Sequence, residues 1–245
     1  MQKYVEIKKK ENVYLRGYLN FPEQAKKIVV MFHGFTGNKT EHGRMFKTIS
    51  ELFEKENIAS LRFDFFGNGE SDGKFHEFTF DSLTEDAKLI IDYALKIKGV
   101  DKIVLMGFSM GGAIAAHMAT KLPQVVDALV LWSPAGNIKQ IIENYYLRNP
   151  KLENGHADYL GFEISENLVE SFRKFEPYEN LKNFRNSVLI IHGKKDLAVN
   201  YEFGEKYSKE FPKAKFSIIE NAGHGYDNVD SRISLFSQTI DFLKK

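Results

Sequence analysis

A serine becomes a useful nucleophile only when a base takes its proton and an acid orients that base. The pattern Gly-x-Ser-x-Gly, which sets a serine on a tight turn, occurs twice: at Gly69-Glu70-Ser71-Asp72-Gly73 and at Gly107-Phe108-Ser109-Met110-Gly111. Their surroundings separate them. The apolar run Ile103-Val104-Leu105-Met106 leads into Ser109, and Gly111-Gly112-Ala113-Ile114-Ala115-Ala116 leads away in small, helix-forming residues. A strand entering and a helix leaving make a nucleophile elbow, with glycine where side chains would collide. The helix N-terminus also turns N–H groups toward any negative charge that develops there. A plain helix N-cap is the bland alternative at this position. Ser71 lies in a glycine-rich loop with no such helix and reads as a solvated turn serine.

Seven histidines compete for the role of base: His33, His42, His76, His117, His156, His192 and His224. His224 lies in Asn221-Ala222-Gly223-His224-Gly225, a loop between the strand ending at Glu220 and the last helix, from which an imidazole can reach a neighbouring serine. His33 and His192 each close an apolar strand before a glycine and are expected to bond backbone. His117 falls two turns into the helix after Ser109 and is expected to be packed or solvated. For the acid, Asp196 follows a strand in His192-Gly193-Lys194-Lys195-Asp196, at the carboxyl edge of the sheet where open α/β sheets place their sites. Asp227 is its rival, at the cost of a loop folded back on itself. An oxyanion hole needs two backbone N–H donors. Met110 supplies one, and the loop His33-Gly34-Phe35-Thr36-Gly37 supplies the other, at Phe35.

The elements that must position these groups are legible as short apolar runs alternating with helix-period stretches. Strands are expected at Tyr4–Lys8, Val13–Asn20, Lys27–Phe32, Ala59–Asp64, Lys102–Met106, Ala128–Trp132, Ser187–Ile191 and Lys215–Glu220. The first two alternate in polarity and read as antiparallel, whereas the later ones are continuous apolar runs of the kind buried on both faces. Met45, Ile49, Leu52 and Phe53 share one helical face, as do Ile233, Phe236, Ile240 and Leu243. The fold class is therefore α/β, a mostly parallel eight-stranded sheet flanked by helices. More than fifty residues separate Trp132 from Ser187 without a convincing core strand, too many for a structureless loop. The expected organisation is a core of residues 1–133 and 182–245 with an inserted cap of residues 134–181 after strand six. Four residues in or beside it, Trp132, Tyr145, Asp158 and Tyr159, are candidate substrate contacts, supplying apolar faces and a polar tip.

Composition narrows the function further. The chain has 245 residues, a formal net charge of +1 and no cysteine. A balanced charge argues against nucleic acid, and the missing cysteine excludes a disulfide framework, a thiolate metal site and a cysteine nucleophile. No apolar run is long enough for a membrane span, and charges occupy the N-terminal residues where a signal peptide would be apolar, so a cytoplasmic protein is expected. No metal-ligand spacing and no phosphate or dinucleotide loop is evident; no cofactor is implied.

The motifs His33–Lys39, Arg62–Gly73, Gly107–Gly111, His192–Asp196 and Gly223-His224, with the order Ser109, Asp196, His224, resemble those of α/β-hydrolase esterases, and among these the bacterial feruloyl (cinnamoyl) esterases. The resemblance spans nearly the whole chain. It implies Ser109 as nucleophile, His224 as base, Asp196 as acid, and Phe35 and Met110 as oxyanion donors. It further implies a serine carboxylic ester hydrolase acting through an acyl-enzyme on short-chain or hydroxycinnamoyl esters. The expected partner is a small-molecule ester, with a homodimer left open. The chain departs from the feruloyl pattern at Phe108 and Met110, beside the serine, and in the cap. Monoacylglycerol lipase, thioesterase and serine aminopeptidase activities use the same core, and a non-catalytic binding protein could share the fold.

Overall fold

In the computed structural model, which describes residues 2–245, the strands are β1 Gln2–Lys10, β2 Val13–Asn20, β3 Lys27–Phe32, β4 Ala59–Phe63, β5 Lys102–Phe108, β6 Val126–Trp132, β7 Ala157–Tyr159, β8 Phe162–Ile164, β9 Ser187–Gly193 and β10 Ala214–Ile219. The helices are α1 Met45–Lys55, α2 Phe80–Leu95, α3 Met110–Lys121, α4 Ile138–Arg148, α5 Glu166–Arg173, α6 Tyr201–Glu210 and α7 Val229–Leu243. Eight strands form one sheet in the order β1-β2-β4-β3-β5-β6-β9-β10. The β1–β2 and β2–β4 pairings are antiparallel and the other five are parallel, so the sheet is mixed only at one edge.

The central strands are apolar on both faces because helices cover both. Leu105, Leu131 and Ile190 pack toward α2 and α3, while Val104, Met106, Val130, Trp132 and Ile191 pack toward α1 and α7. Each buried Leu, Ile or Val side chain contributes roughly 1.5–3 kcal/mol, which makes these two layers the source of the fold's stability. Among the described residues, no helix is long and apolar enough to cross a membrane.

Strand order reverses between β3 and β5. After β3 the chain builds outward to β4, then returns to the other side of β3 to lay down β5. A crevice opens at the carboxyl ends of the strands at such a point. Between β6 and β9 lie α4, the β7–β8 hairpin and α5. The hairpin is separate from the main sheet, pairing Ala157 with Ile164 and Tyr159 with Phe162.

Candidate active site

Ser109 sits between β5 and α3 with φ +54° and ψ −118°. A non-glycine residue there costs of order 1–3 kcal/mol and persists only when its surroundings hold it. Here they do. The Ser109 N–H donates to the Trp132 carbonyl at 2.9 Å, and the Ser109 carbonyl accepts from Gly112, Ala113 and Ala135 N–H groups at 3.0, 3.2 and 3.0 Å. Glycine on either side is a packing requirement. A Cβ at position 107 would overlap the Gly111 carbonyl, and one at position 111 would overlap the Phe32 carbonyl.

His224 Nε2 lies 3.0 Å from Ser109 Oγ, and its Nδ1 lies 2.7 Å from Asp196 Oδ2. The other carboxylate oxygen, Asp196 Oδ1, accepts the Ala198 and Val199 N–H groups at 3.0 and 2.8 Å. His192 Nε2 donates to the Val199 carbonyl at 2.8 Å and is 3.3 Å from Asp196 Oδ2. Burial works against the charged carboxylate, but hydrogen bonds from His192, His224 and the Val199 N–H hold Asp196 well below the usual carboxylate range. Asp227 lies elsewhere, 2.7 Å from His42 Nε2 in an exposed pair.

The Phe35 and Met110 N–H groups donate to no other described residue. The loop that carries Phe35 is fixed by Glu41, a buried residue at φ +60° whose carboxylate accepts the Gly34 and His42 N–H groups at 2.5 and 2.7 Å. Nothing in the spacing singles out Glu41, because its role depends on a backbone amide seven residues back. His33 directly follows β3, its Nε2 accepting the Phe65 N–H at 3.1 Å.

Ser109 lies at the junction of two cavities, each of about 290 Å³. One runs beneath the segment between β6 and β9, walled by Phe35, Ile138, Ile141, Tyr145, Tyr159 and Ala198. The other is more polar and lies between Gly34–Asn38, Glu41 and His42. Tyr145 and Tyr159 stack with ring centroids 3.8 Å apart, and Phe35 stacks on Tyr145 at 6.0 Å. Burial, and then Tyr159, push the Tyr145 hydroxyl above its ordinary range, so it stays neutral. Ile138, Ile141 and Tyr145 share one face of α4, a pattern visible in the sequence; Ala198 carries no such signal.

Three expectations need correction. Trp132 faces away from both cavities: it is fully buried on the α1/α7 side, between Phe46 and Phe236, with Nε1 donating to Thr239 Oγ1 at 3.0 Å. Asp158 is exposed and accepts the Gly161 N–H at 2.9 Å, closing the β7–β8 turn rather than lining the cavity. Ser71 is not solvated. It is buried, donating to the Asp64 carbonyl at 2.7 Å and accepting the Arg16 N–H at 2.9 Å, so it ties its loop to β2.

The chain is similar in fold and sequence to several known proteins. The structure of Est1E from Butyrivibrio proteoclasticus with ferulic acid bound superposes with a TM-score of 0.85 at 27% identity, covering 98% of this chain and 100% of that one. A Pyrococcus furiosus esterase, Pf2001, shares the fold at a TM-score of 0.78 and 22% identity, over 100% of this chain and 90% of the other. By sequence, a Mycoplasma genitalium protein named as an esterase/lipase is 22% identical over 254 residues, taking in 91% of each chain. The Bacillus subtilis AB hydrolase superfamily protein YisY is 24% identical over 249 residues, 86% of this chain and 90% of its own. Residues 23–155, more than half of the chain, match the family model described as serine aminopeptidase, S33. The chain belongs to that family of α/β-hydrolases and is a hydrolase of the esterase/lipase type.

Proposed function

We propose that the protein hydrolyses carboxylic esters through an acyl-serine intermediate, with Ser109, His224 and Asp196 as its catalytic groups. The observation that carries this is the unbroken chain of contacts from Ser109 Oγ through His224 to Asp196, at 3.0 and 2.7 Å. His224 Nε2 takes the Ser109 proton as Oγ attacks the ester carbonyl, and Asp196 stabilises the imidazolium and fixes its tautomer. The carbonyl oxygen gains negative charge and is met by the Met110 N–H at the N-terminus of α3 and by the Phe35 N–H of the loop after β3. The intermediate collapses, the alcohol leaves with the proton from His224, and the acyl group stays on Ser109. Water, deprotonated by the same imidazole, then attacks the acyl carbon; the acid departs and Ser109 regains its proton.

In this reading residues 134–181 act as a cap and the aromatic cavity beneath them receives the acyl group. At about 290 Å³ it is at the small end of the range for ligand pockets. The flat surfaces of Phe35, Tyr145 and Tyr159 suit a planar aromatic acid, and a short alkyl chain also fits. The more polar cavity receives the alcohol. The ferulic acid bound to Est1E supports an aromatic acyl group. An aminopeptidase would need a negative group for the substrate's ammonium, and among the described residues lining the aromatic cavity there is no carboxylate. The test compares kcat/KM for methyl ferulate, a butyrate ester, a palmitate ester and a peptide amide. Ferulate and butyrate should lead. A preference for palmitate refutes the cavity assignment, and a preference for the amide refutes the ester reading.

A further inference from the structure

Away from Ser109, one group of ligand-type side chains converges on a common point. His76 lies on a short 3-10 turn, Phe75–Glu77, in the loop between β4 and α2, whereas His156 directly precedes β7 and Glu163 is the middle residue of β8. His156 Nδ1 is 2.9 Å from Glu163 Oε2, and His76 Nδ1 is 3.5 Å from the same oxygen. The three donor atoms lie within 4.8 Å of one another. Ligands bound to a tetrahedral zinc ion at about 2.0–2.2 Å sit roughly 3.4 Å apart, so these separations bracket what one ion requires. Two imidazoles and one carboxylate are also a donor set that zinc uses when its fourth position is left to water.

The surroundings hold these donors in place. Asn154 Nδ2 donates to Glu163 Oε2 at 2.9 Å while its Oδ1 accepts the His156 N–H at 3.0 Å. Ser165 Oγ donates to the His76 carbonyl at 2.7 Å, fixing the turn that presents that ring. The side chains are partly exposed, at 24% for His76, 22% for His156 and 39% for Glu163, which gives an ion a path in and a water for its open position.

We propose that His76, His156 and Glu163 form a binding site for a divalent transition-metal ion of the zinc type, and that the ion staples the 134–181 segment to the β4–α2 loop. The linkage reaches the substrate cavity in one layer of side chains. Phe162 packs on Phe75 at 4.7 Å, Phe75 packs on Phe35 at 5.3 Å, and Tyr159, paired with Phe162 across the hairpin, lines the cavity. An ion here steadies the cavity wall without touching Ser109.

The full chain, stripped with EDTA and dialysed, is titrated near neutral pH with Co²⁺, followed by visible absorption, and with Zn²⁺, followed by calorimetry and thermal melting. One ion should bind per chain and raise Tm, and binding should weaken at about pH 5.5 as protons compete for the ligands. His76→Gln, His156→Gln and Glu163→Gln should each lower affinity at least roughly tenfold, with folding checked by circular dichroism. His224→Gln should leave the stoichiometry and affinity unchanged. Ca²⁺, which prefers oxygen ligands, should not compete. No saturable Zn²⁺ binding, binding lost in His224→Gln but kept in Glu163→Gln, or equal responses to Ca²⁺ and Zn²⁺ would each overturn the proposal. A lower KM for ester in the zinc-bound form is also expected; that readout rests on the proposed esterase activity, whereas the binding readouts stand without it.

Discussion

The substitution Asp196→Asn separates catalysis from folding because the two carboxylate oxygens do different jobs. Oδ1 accepts two backbone N–H groups, from Ala198 and Val199. An asparagine must therefore place its amide oxygen there, since its NH₂ cannot accept. The NH₂ then takes the place of Oδ2, 2.7 Å from His224 Nδ1. A donor at that position selects the imidazole tautomer with Nδ1 unprotonated and the hydrogen on Nε2, which points at Ser109 and cannot take its proton. The same change in a serine-protease triad lowers kcat by about 10⁴, equivalent to about 5.5 kcal/mol of lost transition-state stabilisation. The assay is kcat/KM for a nitrophenyl butyrate ester with wild type, Asp196→Asn and Asp227→Asn, each verified as folded. Asp196→Asn should lose between roughly 10³ and 10⁴, with KM little changed. Asp227→Asn removes an exposed partner of His42 and should cost less than about threefold. Equal losses in the two variants, or more than a tenth of the activity left in Asp196→Asn, would refute the reasoning.

Tyr145→Ala removes the stacking partner of Tyr159 and Phe35, an interaction worth roughly 0.5–1.5 kcal/mol per aromatic pair, and should raise KM for methyl ferulate roughly 2–10-fold with kcat nearly constant; a fall in kcat alone would contradict the cavity assignment. Trp132→Phe should cost about 1–2 kcal/mol in denaturant melts, through the lost bond to Thr239, and leave KM unchanged; a raised KM would return Trp132 to the substrate site. Hydrogen bonds hold Asp196 below its ordinary value of about 3.9, so the unfolded chain takes up that proton first on acidification, and the stability it contributes is complete above about pH 5 and lost as pH falls further. The Tm difference between wild type and Asp196→Asn should accordingly narrow in acid, and a difference constant from pH 7 to 3 would count against it.

All eight sheet strands were legible because runs such as Val188-Leu189-Ile190-Ile191 carry β-branched residues at a length that fits a strand and little else. Both ends of β2 and β3 were legible as well, whereas each of the other six strands differs from its expected span by one or two residues at one end or both. β9 continues through His192-Gly193 because those residues pair with Ile218 and Ile219 of β10, a long-range contact that overrides the local meaning of glycine. The β7–β8 hairpin has only three residues in each strand, too few to show a period. Ser109, Asp196 and His224 could be picked out because each follows a strand and their order is distinctive. Trp132 misled because β6 is apolar on both faces: its pattern does not say which alternate residues look toward α2 and which toward α7. Ser71 misled because its burial comes from β2, in another part of the chain. The His76–His156–Glu163 cluster has no spacing to read, since its three residues meet only through the packing of the 134–181 segment on the core.

The central claim is that Ser109 Oγ is the atom acylated during turnover. Treating the protein with a fluorophosphonate and locating the adduct by peptide mass spectrometry tests it most directly. One adduct per chain on Ser109, lost together with hydrolysis in Ser109→Ala and kept in Ser71→Ala, is the predicted result. An adduct on any other residue, or labelling and turnover that survive in Ser109→Ala, would contradict it.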